Sequence, residues 1–197
     1  GAALNWLAYT YVYKKDYDRA LATFQKYASV SPGDSNPYDS MGELYFNMGK
    51  LDQAIEKYEQ ASTIKPDFGA QLKTAYCYAL KENYAESLRW VDHFIPVAPS
   101  EGTRAMAYEF RGFYHSIQGS LGQALTDFGK AAELYEAMKN FPYMGIMFLR
   151  RGWVCYDWGT NSLGREFVQA LHDHRDRDNI QSEPSNEAFY QFYLGLL

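Results

Sequence analysis

Side chains able to do chemistry are thinly spread along this 197-residue chain. His172 and His174 stand two apart in a helical pattern, so their rings diverge by roughly 200° and cannot chelate one ion together. His115 takes a place that other stretches give to a packing tyrosine, which reads as a hydrogen-bonded core histidine rather than a base. His93 is solitary. No phosphate-cradling glycine loop occurs, and no strained elbow presents a serine to a histidine and an aspartate. Cys77 and Cys155 are 78 residues apart within helical stripes, too far for the about 7 Å reach of a disulfide. They read as buried thiols, compatible with a reducing, cytoplasmic compartment without identifying one. No catalytic residue, metal site or cofactor is expected, so recognition is the chemistry to look for.

Charges narrow the partner. A formal net charge of −5 argues against a nucleic-acid surface, which needs clustered Lys and Arg. No run of 18 apolar residues exists to span a membrane, and no basic-then-apolar leader is present. Gly1-Ala2-Ala3 reads as a cut end, so the missing leader says little about the intact protein. The alternating charges from Asp173 to Asp178 solubilise a helix end. Two charged spots invite a ligand. Asp39, Glu43 and Asn47 fall on successive turns of one helix, as a patch for a basic group or as a solvated face. Arg150, beside Arg151, offers itself to a carboxylate or phosphate, or to a surface ion pair.

The elements that hold these residues repeat. Leu7-Ala8, Tyr11, Ala20, Phe24 and Pro32 stand 34 residues before Met41-Gly42, Tyr45, Ala54, Tyr58 and Pro66. A third copy, one residue shorter, carries Ala75, Tyr78, Ser87, Val91 and Pro99. A fourth, with Gly112, His115, Gly119, Ala124 and Phe128, follows an insertion near Ser100-Glu101-Gly102. The fifth, with Gly152, Cys155, Gly159, Gly164 and Val168, follows a longer connection around Lys139 to Pro142. Each copy reads as two helices. The tiny residues Ala8, Gly42, Ala75, Gly112 and Gly152 let the pair approach, and large neighbours such as Tyr45 and Phe24 fill the remaining space. Gly49, Gly119 and Gly159 suit a left-handed helix end, prolines close the second helix, and Asp16, Asp52 and Asn161-Ser162 are candidate caps.

A constant period with these residue types resembles the tetratricopeptide repeat, a 34-residue helix–turn–helix unit. That resemblance implies an all-α fold, a right-handed α-α superhelix of antiparallel pairs forming a single solenoid domain over 1–197. The repeats run approximately 1–34, 35–68, 69–101, 105–138 and 145–178, with a terminal helix over 186–197. It also implies a non-catalytic module that takes a peptide or protein segment in a concave groove. Positions just after the small residue point about 100° away from the partner helix, giving Tyr9, Glu43, Tyr76, Phe113 and Trp153, then Val12, Phe46, Ala79, Ser116 and Tyr156 three residues on. With 18 Tyr, 12 Phe and 4 Trp, rings are plentiful enough both to pack helices and to line a groove. The expected groove residues are Tyr9, Tyr13, Glu43, Phe46, Asn47, Lys73, Tyr76, Phe113, Arg150, Trp153 and Tyr156. Some relatives of this family grip a C-terminal carboxylate with a Lys–Asn–Arg clamp. The matching positions, Asn5, Tyr9, Ser40, Gly69 and Lys73, offer one suitable cation, so that mode is not expected here.

After the fifth copy, Phe189, Phe192, Tyr193, Leu194 and Leu196 make the segment apolar on too many sides for a solvated cap. Either the chain continues in the intact protein or two copies pair there as a homodimer. A structural or oligomerisation module, and a regulatory segment of a larger signalling or transcription-regulating protein, are therefore the alternatives to peptide capture.

Overall fold

The computed structural model describes residues 1–177 together with Gly195. Among them the architecture is all-α, without a strand. Ten helices follow in order: α1 Ala2–Tyr13, α2 Tyr17–Val30, α3 Asn36–Asn47, α4 Leu51–Ile64, α5 Ala70–Leu80, α6 Tyr84–Phe94, α7 Glu101–Ile117, α8 Leu121–Ala137, α9 Phe141–Asp157 and α10 Asn161–Arg177. They form five antiparallel pairs of the helical-repeat solenoid class. The chain divides into two compact units, Gly1–Pro99 with α1–α6 and Ser100–Leu197 with α7–α10. Apart from Gly195, the segment expected to form a helix over 186–197 lies outside the described residues.

Close approach within each pair comes from a missing side chain. A Cβ placed on Gly42 would meet the Tyr58 ring at 2.5 Å, and one on Gly112 would meet Phe128 at 2.9 Å. Both rings are buried and both lie 16 residues beyond their glycine. Ala8 with Phe24 and Ala75 with Val91 repeat the spacing, all fully buried. The ring filling the space at Gly42 is thus Tyr58 of the second helix, while Tyr45 stays partly buried beside that core.

Each core spans one second helix and the first helix that follows. Met41 and Leu44 of α3 join Ala8, Ala20 and Phe24. Ala70 and Cys77 of α5 join Ala54, Ile55, Tyr58 and Ala61. In the second unit, Met144, Met147 and Val154 of α9 pack on Phe128, Ala131 and Tyr135 of α8. Asp127, buried in the same pair, holds the Arg111 guanidinium through two bonds of 2.9 and 2.7 Å, with His115 Nε2 at 3.8 Å.

All five pair-closing turns are three residues long and share one geometry. The middle residue has a left-handed backbone: Lys15, Gly49, Glu82, Gly119 and Gly159, at φ between 58° and 74°. The next amide donates to a carbonyl five residues back, as in Asp16 to Tyr11 and Lys50 to Tyr45, each at 2.9 Å. This closes the helix carbonyls in the manner of a Schellman end. Two turns therefore use an L-residue where glycine fits without strain.

Three local expectations change. Ser100 caps α7 reciprocally with Thr103, and Glu101-Gly102 form its first turn, so the expected insertion lengthens a helix. Phe141-Pro142 likewise begin α9, where proline needs no amide partner, leaving a three-residue turn in place of a long connection. All four helices of the second unit reach 17 residues, against 11 to 14 in the first. Asp16 does cap α2 through the Arg19 amide. Asp52 lies inside α4 and pairs with Lys81 instead.

The packing predicts opposite signs for two glycine exchanges. Gly42→Ala should destabilise the protein by about 1–3 kcal/mol through overpacking against Tyr58. Exposed Gly122 of α8 has open space around it, so Gly122→Ala should gain about 0.5–1 kcal/mol of helix propensity. Urea unfolding followed by circular dichroism separates them, and a gain at both positions would refute the nesting. By the same assay Glu82→Gly should stabilise by up to about 1 kcal/mol, the relief of a left-handed L-residue.

Candidate functional site

The first-helix positions expected to form the groove have different surroundings in the two units. In the first unit they are knitted together by polar contacts between successive repeats. Tyr9 of α1 donates its hydroxyl to Glu43 Oε2 of α3 at 2.8 Å and approaches Ser40 Oγ at 3.2 Å. Ser40 Oγ in turn donates to Asn5 Oδ1 at 3.3 Å. Lys73 of α5 reaches back to both oxygens of Asp39, at 2.9 and 2.7 Å, with its ammonium 5.5 Å from the centre of the Tyr58 ring. The Phe46 and Tyr76 rings meet at 5.8 Å. Burial, together with Glu43, pushes the Tyr9 hydroxyl up to about 12. The expected acidic patch is therefore engaged from within: Asp39 by an ammonium and Glu43 by a phenol. Tyr13 stands 92% exposed at the end of α1, and Asn47 is exposed at the end of α3, neither tied to this cluster among the described contacts.

The second unit leaves these positions open. A cleft of about 580 Å³ lies along the C-terminal halves of α7 and α9. Phe113 and Ile117 form one wall, Ile146, Leu149 and Trp153 the other, and Phe128 of α8 reaches into it. Phe113 and Trp153 are 46% and 44% exposed, as Tyr76 of the first unit is at 44%, but here both rings line one cleft. Tyr156 packs beside Trp153 at 5.7 Å between ring centres. Ser116 and Asp157 supply polar atoms at the end where both helices stop. Arg150 also lines the cleft, but its Nη2 sits 2.8 Å from Glu109 Oε1, and Tyr135 donates to the other Glu109 oxygen at 3.3 Å. The surface ion pair wins over the open receptor for an anion.

Of the expected groove residues, the structure thus brings Phe113, Arg150 and Trp153 to one cleft, with Tyr156 adjoining. It gathers Tyr9, Glu43, Phe46, Lys73 and Tyr76 into the polar and aromatic band of the first unit. Ile117, Ile146, Leu149 and Asp157 were not singled out from the sequence. Their spacing held the signal: Ile117 lies four residues after Phe113, and positions 146, 149, 153 and 157 share a helix face. Glu109 and Tyr135, which engage Arg150, carried no comparable mark.

Among the described residues no three His, Cys, Asp or Glu side chains are placed to hold a metal ion. Cys77 is fully buried, and that burial raises its thiol to about 11, away from the reactive thiolate. No helix of the described residues is long and apolar enough to cross a membrane.

Known proteins share the repeat and the fold. Residues 1–34 and 36–68 match the tetratricopeptide repeat profile. Superkiller protein 3 of Schizosaccharomyces pombe is 26% identical over 123 residues, which cover 56% of this chain and 9% of that protein. Among solved structures, MamA from Desulfovibrio magneticus RS-1 superposes with a TM-score of 0.68 at 16% identity, covering 91% of this chain and 97% of that one. BtubC from P. vanneervenii gives 0.72 at 14% identity, covering 91% and 81%. At such identities these structures establish the fold they share.

The Asp39–Lys73 pair yields a prediction with a sign. Burial raises the Asp39 carboxyl above the usual carboxylate range, while Lys73 pulls it down and Glu43 pushes it up. A carboxyl raised on folding holds its proton more tightly when folded. Its ionisation therefore costs stability as pH rises through the folded value, and that cost vanishes below the unfolded one. Lys73→Met, which strands a buried carboxylate, should destabilise by about 2 kcal/mol at neutral pH. The variant should recover stability as pH falls toward about 4. Asp39→Asn strands only a half-exposed ammonium and should cost under about 1 kcal/mol. Equal losses, or a Lys73→Met loss that ignores pH, would contradict this account.

Proposed function

The chain belongs to the tetratricopeptide repeat family, and from that premise we propose that it is a non-catalytic interaction module. It captures a peptide or protein segment in the cleft between α7 and α9. The observation carrying this reading is the pair of half-exposed rings, Phe113 and Trp153, facing each other across an apolar cleft of about 580 Å³. A volume of that order is typical of ligand-seating clefts. Binding would remove those rings from water at about 25 cal/mol per Å², before ordering costs. In the first unit Phe46 and Tyr76 extend the contact surface, while the Tyr9–Glu43 and Asp39–Lys73 bonds hold its first helices in place.

A second reading, assembly into a larger scaffold, is favoured by the bare face of α1. Trp6 and Leu7 are 76% and 43% exposed, although their counterparts 34 residues on, Ser40 and Met41, are buried. Those counterparts pack toward the preceding repeat, so the α1 face suits a further helix. The pairing through residues 186–197 considered from the sequence lies outside the described residues.

Capture of a partner segment should depend on the rings. Trp153→Ala and Phe113→Ala should each weaken binding at least about tenfold while the helical dichroism stays unchanged. Tyr76→Ala should weaken it if the first unit shares the contact. The measurement is pull-down of partners by the wild-type chain, followed by titration of each variant. Unchanged affinity in both Trp153→Ala and Phe113→Ala would remove the cleft reading.

A further inference from the structure

We propose that the cleft between α7 and α9 selects a cationic partner: it takes a segment with a few large apolar side chains beside a lysine or arginine, which sits against Asp157. This rests on the reading of the cleft as a peptide seat and adds the sign of the charge it prefers. From the sequence, Arg150 offers a carboxylate or phosphate a partner, and the geometry reverses that sign. Its guanidinium is already neutralised by Glu109 at 2.8 Å and lies over the Phe128 ring at 5.8 Å. An incoming carboxylate would have to displace Glu109, itself held by Tyr135. Asp157, the other charged residue lining the cleft, is exposed on the last turn of α9 and makes no ion pair among the described residues.

The first unit reaches the same balance independently. Lys73 is committed to Asp39, and Glu43 meets a neutral phenol from Tyr9 without an ion pair among the described residues. Each set thus joins two carboxylates to one cation, leaving Glu43 half-buried on a phenol and Asp157 exposed. Apolar walls around Asp157 make that charge count for more once a bound segment excludes solvent. The net charge of −5 steers a basic segment in the same direction.

The test uses three synthetic peptides of one Leu- and Phe-containing sequence that carry Lys, Gln or Glu at the same two positions. Each is titrated into the whole chain by fluorescence anisotropy at low and high salt. The Lys peptide should bind about tenfold more tightly than the Glu peptide, with Gln between, and the spread should shrink at about 0.5 M salt. Asp157→Lys, at an exposed position on the last turn of α9, should reverse the order. Equal affinities for the three peptides, all weakened by Trp153→Ala, would overturn the charge preference and leave the cleft standing. Binding by none, or binding untouched by Trp153→Ala, would remove the cleft reading and this one with it.

Discussion

A gap the width of one methyl group governs this fold. Where Gly42 meets Tyr58 and Gly112 meets Phe128, the ring of one helix lies against the bare backbone of the other. That contact sets how closely a pair can approach, and the left-handed turn residue sets where it reverses. A pair so formed still has an apolar face that it cannot cover alone, which Met41 and Leu44, or Met144 and Met147, cover from the next first helix. Within each unit stacking is therefore a consequence of pairing, since a pair's core is completed by the first helix that follows it.

Stacking also decides what the first helices show to solvent. Residues just beyond the small position leave the pair and come beside their counterparts one repeat away. In the first unit those counterparts are complementary polar groups, and Tyr9–Glu43 and Lys73–Asp39 fasten one repeat to the next. In the second unit they are Phe113 and Trp153, both half-exposed and lining one cleft. One architecture thus yields a fastened surface in one half and an open apolar one in the other. The difference lies in the side-chain chemistry along the first helices.

Charge follows the same rule of local completion. Two first-helix cations, Lys73 and Arg150, each find a carboxylate on a neighbouring first helix. Such pairs position side chains more than they stabilise the fold, because removing ions from water offsets much of their attraction. Their structural effect is to neutralise the Lys73 and Arg150 cations of the first helices.

Much of this was legible in the sequence. The recurrence of tiny residues 33 to 40 apart announced the pairs, the glycines marked three of the five pair-closing turns, and the prolines marked the ends of the first three second helices. These features read directly because each depends on one residue's own shape or backbone freedom. Lys15 and Glu82 adopt the same turn without any such mark, because helix packing imposes it on them. Periodicity also put Phe113 and Trp153 on the inner face, but not the open cleft between them, which depends on how far α7 and α9 stand apart. Nor could it foresee that Arg150 would meet Glu109, a residue 41 positions earlier on another helix. What the chain determined by itself was local conformation and which face each side chain would occupy. Which of those faces would be filled, fastened or left open was decided by tertiary structure, because it turns on distances between side chains that no single helix contains.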